Sequence, residues 1–240
     1  MNRERIIGIW AEYFHDSPSF IEDYLNTFLD KDSIILKMDE KENDFIYLGF
    51  IIKYFYKYYN NKIPIAYLTG LITNIKYRNK GYFSLCLKEI FSSLQRQKYI
   101  ICCLIPATPL LEETYKRYGF STCFNNEKEN ENKKIIHQQK TIDLYNKLGY
   151  DISSLKANKN GMIRIVDAFE VLKLYAKNNP NIEKTIRIID NKIEQNNKTF
   201  HISDAKVEII EKKSYENEIL IGELSKEIFD NSYMDKMFDK

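Results

Sequence analysis

The chain has 240 residues, of which 44% are hydrophobic, 29% charged and 14% aromatic; this fits one or two globular domains and excludes a largely disordered chain. Eight glycines and five prolines exclude collagen-like and proline-rich material. A formal net charge of +2 provides no basic field of the kind that drives nucleic-acid binding, and no apolar run reaches the roughly 18 residues that span a bilayer.

The N-terminus, MNRERIIGIWAEYF, carries charge and a helical period in place of a signal-peptide core, so a soluble cytoplasmic protein is expected. Residues 4–14 read as an amphipathic helix with Ile6, Ile7, Trp10 and Phe14 on one face. His15-Asp16-Ser17-Pro18 breaks it, and Ser17 with Pro18 starts a second helix carrying Phe20, Ile21, Tyr24, Leu25 and Phe28. A strand is expected over 33–38, a polar turn over 39–44 and a long strand over 45–59. Asn60-Asn61 is a hairpin turn into a return strand over 63–73. The Lys and Tyr alternation of 52–59 reads as one core face and one wet face, not as a base-stacking surface. This long hairpin also offers an edge for a second copy of the chain.

Residues 81–95 form a helix whose buried face holds Phe83, Leu87, Ile90, Phe91 and Leu94. A wholly apolar strand over 99–105 is expected to be central, followed by a helix over 109–118 that Gly119 ends and a strand over 120–124. The stretch 125–134 is nearly all Asn, Glu and Lys and reads as a solvated loop. Residues 139–160 look like a linker with one helix. The pattern restarts at Met162 with a strand to Val166 and a helix that Asp167 caps. Strands follow near 184–190, 198–202 and 206–211, and a last helix covers 221–228. The class is α/β (α+β), with domains at 1–140 and 161–240 joined by 141–160. Cys86, Cys102, Cys103 and Cys123 form no CxxC pair, and with His15, His137 and His201 scattered no metal site is expected.

The informative tract is Leu71-Ile72-Thr73-Asn74-Ile75-Lys76-Tyr77-Arg78-Asn79-Lys80-Gly81-Tyr82-Phe83, a strand, a basic loop and a helix start. Amides at a helix N-terminus suit a pyrophosphate, Arg78 and Lys80 add positive charge, and Gly81 permits close approach. An ordinary strand-to-helix turn with surface lysines is the plain alternative.

This tract resembles the acyl-CoA-binding signature of the GNAT superfamily of N-acetyltransferases, (R/Q)-x-x-G-x-(G/A). Arg78 and Gly81 match it, while Phe83 stands where many members have Gly or Ala. Tyr115-Lys116-Arg117-Tyr118-Gly119-Phe120 is similar to the superfamily's Tyr-x-x-x-Gly-Phe ending. IWAEYFHDSPSFIEDYL, Ala66-Tyr67 and Ile105-Pro106-Ala107 resemble a bacterial branch of it. Met162-Ile163-Arg164-Ile165-Val166-Asp167 and Ile221-Gly222-Glu223-Leu224-Ser225 resemble the sterol-carrier-protein-like domain of the enhanced-intracellular-survival type of acetyltransferase. The resemblance implies a mixed central sheet flanked by helices, with a smaller α+β sterol-carrier-like domain behind it. It implies acetyl-CoA as co-substrate and transfer to an amine acceptor by direct attack. Arg78, Asn79, Lys80, Gly81, Tyr82, Phe83, Ser84 and Thr108 would hold the cofactor. The strand Leu71, Ile72 and Thr73 would run beside the pantetheine arm, with its amides stabilising the oxyanion. Tyr115 would protonate the leaving thiolate. The general base stays open between Asp16, Glu112, Glu113 and a terminal carboxylate at Lys240, whose tail the resemblance threads back to the site. A module that binds CoA or an apolar ligand without efficient transfer is the competing reading.

Overall fold

The computed structural model describes residues 3–30, 32–124, 129–136, 138–149, 160–211 and 217–234. Local signals set the helices. Arg3–Phe14 (α1) buries Ile6, Ile9 and Trp10. Ser17 caps Pro18–Phe28 (α2), its Oγ accepting from Phe20 N at 3.3 Å, with Pro18 in the first turn. Strands Ile34–Asp39 (β1), Asp44–Tyr58 (β2) and Asn61–Thr73 (β3) follow, then helix Tyr82–Arg96 (α3) and strand Ile101–Leu104 (β4). Next come helix Pro109–Lys116 (α4), strands Ser121–Thr122 (β5) and Lys133–Ile136 (β6), and helix Gln139–Lys147 (α5). The last stretch holds strand Met162–Ile165 (β7), helix Ala168–Asn178 (α6), strands Lys184–Ile189 (β8), Thr199–Ser203 (β9), Lys206–Ile210 (β10) and Glu218–Leu220 (β11), and helix Ile221–Phe229 (α7).

The chain divides into two compact units, and the long strands β2 and β3 pass through both. Met1–Tyr54, Tyr67–Ile90 and His137–Leu155 form the first; Phe55–Ala66, Phe91–Ile136 and Lys156–Lys240 form the second. In the first unit the strand order is β1-β2-β3, with β1 antiparallel to β2 from Ile34↔Phe50 to Asp39↔Asp44. Helix α5 packs on α2 through Thr141, Leu144 and Tyr145. In the second unit the order is β6-β2-β3-β4-β7-β5. A second, four-stranded sheet there runs β10-β9-β8-β11, with α6 packed on β9 and β10.

The expected α/β class and mixed sheet hold, and the differences are local. The hairpin turn is Tyr59-Asn60, one residue early, with Tyr59 left-handed at φ 50. β2 is buried on both faces from Phe45 to Ile52, so it is a central strand; from Lys53 on, core and wetter sides alternate as expected for 52–59. Tyr54, Tyr56 and Tyr58 all lie in the core. The polar stretch expected as loop ends in strand β6, where Phe55↔Ile136 to Tyr58↔Lys133 pair; residues 125–128 lie outside the described ones. Of the expected strand over 120–124 only Ser121–Thr122 forms, and β11 is an addition. Met162–Ile165 pairs with β4, from Ile101↔Ile165 to Leu104↔Met162, and with β5. All four cysteines are free and buried. Among the described residues no helix is long and apolar enough to cross a membrane.

Candidate functional site

In the first unit the end of β3 is shaped by Gly70. It is left-handed at φ +59 inside a strand, and a Cβ there would stand 2.5 Å from the Phe50 ring, so both conformation and space require glycine. Beyond it Leu71 and Thr73 are half-buried and Ile72 is buried. Leu71 lies over Gly49, where an added Cβ would come within 2.7 Å of its Cδ2, so what this segment offers a ligand is backbone.

The chain then turns through a short 3-10 helix, Ile75–Tyr77, held from four sides. Asn74 Oδ1 accepts from Lys76 N at 3.1 Å, and Asn74 Nδ2 donates to Phe45 O at 2.9 Å. Tyr13 of α1 accepts from Ile75 N at 3.3 Å. Lys76 pairs with Asp44 at 3.2 Å, and Tyr77 donates to Asp39 Oδ2 at 2.9 Å. That last bond holds the Asp39 carboxyl below its ordinary value, while burial and the facing carboxylate push the Tyr77 phenol up to about 12. Tyr77 and Asp39 therefore face each other as phenol and carboxylate across the neutral range.

Arg78, Asn79, Lys80 and Gly81 are exposed. Arg78 Nε donates to Thr73 O at 3.2 Å, which ties the arginine to the end of β3 and keeps its η nitrogens for another acceptor. Lys80 folds back, donating to Lys76 O at 3.0 Å with its ammonium 5.6 Å from the Tyr77 ring centroid. Asn79 (φ 62) and Gly81 (φ +81) are both left-handed, and alternating backbone handedness of this kind turns successive amides toward one concavity. Apart from its chain neighbours, no atom of the described residues lies within 4 Å of a Cβ built on Gly81, so the space above that peptide is open. α3 then begins, with Leu85 N donating to Gly81 O at 3.2 Å. The amides of Tyr82, Phe83 and Ser84 fall in its first turn, where the helix supplies no acceptor. Tyr82 meets Tyr77 edge-on at 5.7 Å, and Phe83 is half-buried. Local charge, backbone donors and the positive helix end together make an anion cradle.

Tyr115 belongs to the second unit. It lies near the end of α4, which Thr108 caps by accepting from Leu111 N at 3.2 Å. Thr108 itself is exposed, whereas Tyr115 is 6% exposed and meets Phe120 edge-on at 5.6 Å. Glu112 accepts from Thr122 Oγ1 at 2.7 Å and pairs with Lys116 at 3.2 Å; the Thr122 bond and then Lys116 hold its carboxyl below the usual range. Glu113 pairs with Lys116 at 2.6 Å. In the first unit Asp16 accepts from Trp10 Nε1 at 2.9 Å. Lys240 and the tail from Asp235 onward lie outside the described residues. Among those described, no three metal-ligating side chains cluster.

The structure thus brings Leu71–Thr73 and Arg78–Ser84 together in one unit, and carries Thr108, Tyr115, Glu112 and Glu113 in the other. Sequence reasoning did not assign roles to Gly70, Asn74, Tyr77, Asp39 or Tyr13. The strand-interior glycine was a legible signal; the partners of Tyr77 and Ile75 lie 38 and 62 residues away and were not.

The family model for the acetyltransferase (GNAT) domain matches residues 2–123, which contain the whole cradle and Tyr115. The chain belongs to the GNAT acetyltransferase family. Solved structures agree in fold. Eis1 from Mycobacterium abscessus superposes with a TM-score of 0.75 at 8% identity, over 94% of this chain and 86% of that one. A probable N-acyltransferase from Enterococcus faecalis V583 gives 0.70 at 12% identity, over 94% and 88%. A GCN5-related N-acetyltransferase from Anabaena variabilis gives 0.65 at 11% identity, over 94% and 87%. No curated protein matches by sequence. As a GNAT acetyltransferase the chain is an enzyme of acyl transfer, and the cradle at Arg78–Ser84 is its candidate acyl-CoA site.

Proposed function

We propose that this protein moves an acetyl group from acetyl-CoA to an amine by direct attack, without an acyl-enzyme. The observation that carries the reading is the cradle itself: left-handed Gly81 under open space, directly before α3, with Arg78 tied beside it. Arg78 to Ser84 hold the diphosphate, and Thr108 adds a cofactor contact from the N-terminus of α4. The backbone of Leu71, Ile72 and Thr73 takes the pantetheine arm as an added strand, and its amides stabilise the oxyanion. Tyr115 donates a proton to the departing thiolate, since a phenol is protonated at neutral pH.

The amine must lose its proton before attack, and a carboxylate takes it. Glu112 is bound by Thr122 and Lys116, Glu113 by Lys116 and Asp16 by Trp10, and the base stays open between these and a terminal carboxylate at Lys240. Buried, unpaired thiols fit a reducing cytoplasm. A sterol-carrier-like second domain is read onto the sheet β8–β11, which lies wholly beyond 141–160, while β7, also beyond it, joins the large sheet beside β4.

The test sets binding against turnover. CoA alone should raise the melting temperature of the full chain. Thiol release from acetyl-CoA should rise with at least one of free lysine, spermidine and a lysine-containing peptide. Tyr115→Phe should lower kcat about hundredfold while leaving KM for acetyl-CoA in place. Stabilisation by CoA with no amine-dependent release would favour a binding module instead.

A further inference from the structure

The motifs Met162–Asp167 and Ile221–Ser225 have no part in the proposed chemistry, yet both converge on the turn that follows Tyr115. Arg164, on β7, is fully buried. Its Nη2 donates to both oxygens of Asp190, at 2.9 and 2.8 Å, and its Nη1 donates to Tyr118 O. Its Nε has no acceptor among the described residues. An enclosed ion pair with an unsatisfied donor is poor evidence for stability, because desolvation cancels much of the attraction. What it supplies is a fixed point. Asp190 accepts from Lys192 N at 2.9 Å, Ile193 N at 3.1 Å and Asn196 Nδ2 at 2.9 Å, so the carboxylate cannot follow a drifting arginine.

Two paths lead from that fixed point to Tyr115. Along the backbone, Tyr115 O accepts from Tyr118 N at 2.8 Å and Phe120 N at 3.3 Å, and Arg164 grips Tyr118 O in the same turn. Through the rings, the guanidinium lies 4.5 Å from the Phe91 centroid, Phe91 lies 6.2 Å from Phe120, and Phe120 meets Tyr115 edge-on. Gly119 sits between the jaws. It is left-handed at φ +82, and a Cβ there would overlap Arg164 Nη1 and stand 2.7 Å from Ile221 Cγ2. Ser121 Oγ, just beyond, donates to Gly222 O at 2.6 Å.

We propose that Arg164, anchored by Asp190, is the positioning residue that sets the Tyr115 ring, with Ile221-Gly222 closing the other side of the clamp. The proposal deepens the proton-donor reading of Tyr115 and rests on it for its catalytic consequence. A lysine at 164 keeps the charge but lacks the planar fork that holds Tyr118 and Asp190 at once.

The test uses the full chain labelled with 3-fluorotyrosine, the Tyr115 line being the one absent from Tyr115→Phe. Two variants are compared: Arg164→Lys, and Arg164→Met with Asp190→Asn so that no lone charge is left buried. In both, the Tyr115 fluorine line should shift or broaden while the lines of first-unit tyrosines stay. Arg164→Lys should lower the melting temperature, since it leaves buried acceptors unmet, but the chain should still melt in one transition. With acetyl-CoA and the amine panel above, kcat should fall roughly tenfold to hundredfold at unchanged KM for acetyl-CoA. Placed on Tyr115→Phe, Arg164→Lys should cost nothing more. An unmoved Tyr115 line, or losses that multiply with those of Tyr115→Phe, would overturn the clamp. Full activity of Tyr115→Phe removes the proton-donor role alone, and the fluorine line still decides whether Arg164 sets the ring.

Discussion

Gly81 concentrates the cradle's dependence on a single backbone angle. Its φ of +81 lies where a side chain is strained, although no atom crowds the place a Cβ would take. Gly81→Ala should therefore cost stability through conformation alone, about 1–2 kcal/mol in denaturant titration. The new methyl would also stand over the peptide proposed to face the diphosphate, so acetyl-CoA affinity by calorimetry should fall further than stability does. Equal binding by the variant would move the diphosphate off this turn. Tyr77 and Asp39 act a few residues upstream. Asp39 has a folded-state pKa below its unfolded one, so its contribution to stability is present above the ordinary carboxylate range and fades as pH falls through the folded value. Tyr77→Phe removes the main cause of that depression. Its melting temperature should then depend less steeply on pH on the acid side than the parent's. An identical slope would show that Asp39 is not coupled to the loop.

At the scale of elements, what was legible in the sequence was local. Ser17 and Asp167 cap α2 and α6 where their side chains and spacing place them, Asp167 accepting from Glu170 N at 3.1 Å. The amphipathic faces of α2 and α3 are largely buried as their periods imply, whereas α1 buries Ile6, Ile9 and Trp10 and leaves the expected Phe14 44% exposed at its end. Strands shorter than one pleat repeat, or rich in lysine, were not legible. β6 carries Lys133 and Lys134 and forms because β2 offers it an edge, which no local pattern announces. In β2 the alternation expected over 52–59 is present, while the enclosure of Phe45–Ile52 on both faces was not announced by the sequence. Thr108 shows a second kind of omission. Expected as a cofactor contact, it also starts α4 through Leu111 N. Thr108→Ala should lower stability by about 1 kcal/mol and raise KM for acetyl-CoA, and Thr108→Ser should restore both. An alanine variant that loses stability at unchanged KM would leave Thr108 a cap only.

Across the whole molecule the illegible part is pairing over long sequence distances. β7 begins where the hydrophobic pattern restarts after 160, yet it lies beside β4, about sixty positions earlier. The C-terminal segment repeats this. Ser232 N donates to Cys123 O at 2.9 Å, Tyr233 N donates to Lys133 O at 2.7 Å, and Ile135 N donates to Tyr233 O at 2.9 Å. Ser232 Oγ meets the buried Tyr56 hydroxyl at 2.5 Å, and Met234 is fully buried. The chain is thus anchored up to Met234, a span whose pairing no local sequence pattern announces. This separates two truncations. Removing 233–240 takes away backbone bonds and a buried methionine, so the melting temperature should drop by several degrees. Removing 235–240 leaves every one of those anchors in place and takes away only the segment that carries Lys240. If the terminal carboxylate at Lys240 accepts the amine proton, kcat of the shorter truncation should fall by roughly a hundredfold while KM for acetyl-CoA stays. Undiminished kcat in a chain that melts normally would eliminate Lys240 and leave Asp16, Glu113 and Glu112, the last with its carboxyl held low by Thr122 and Lys116.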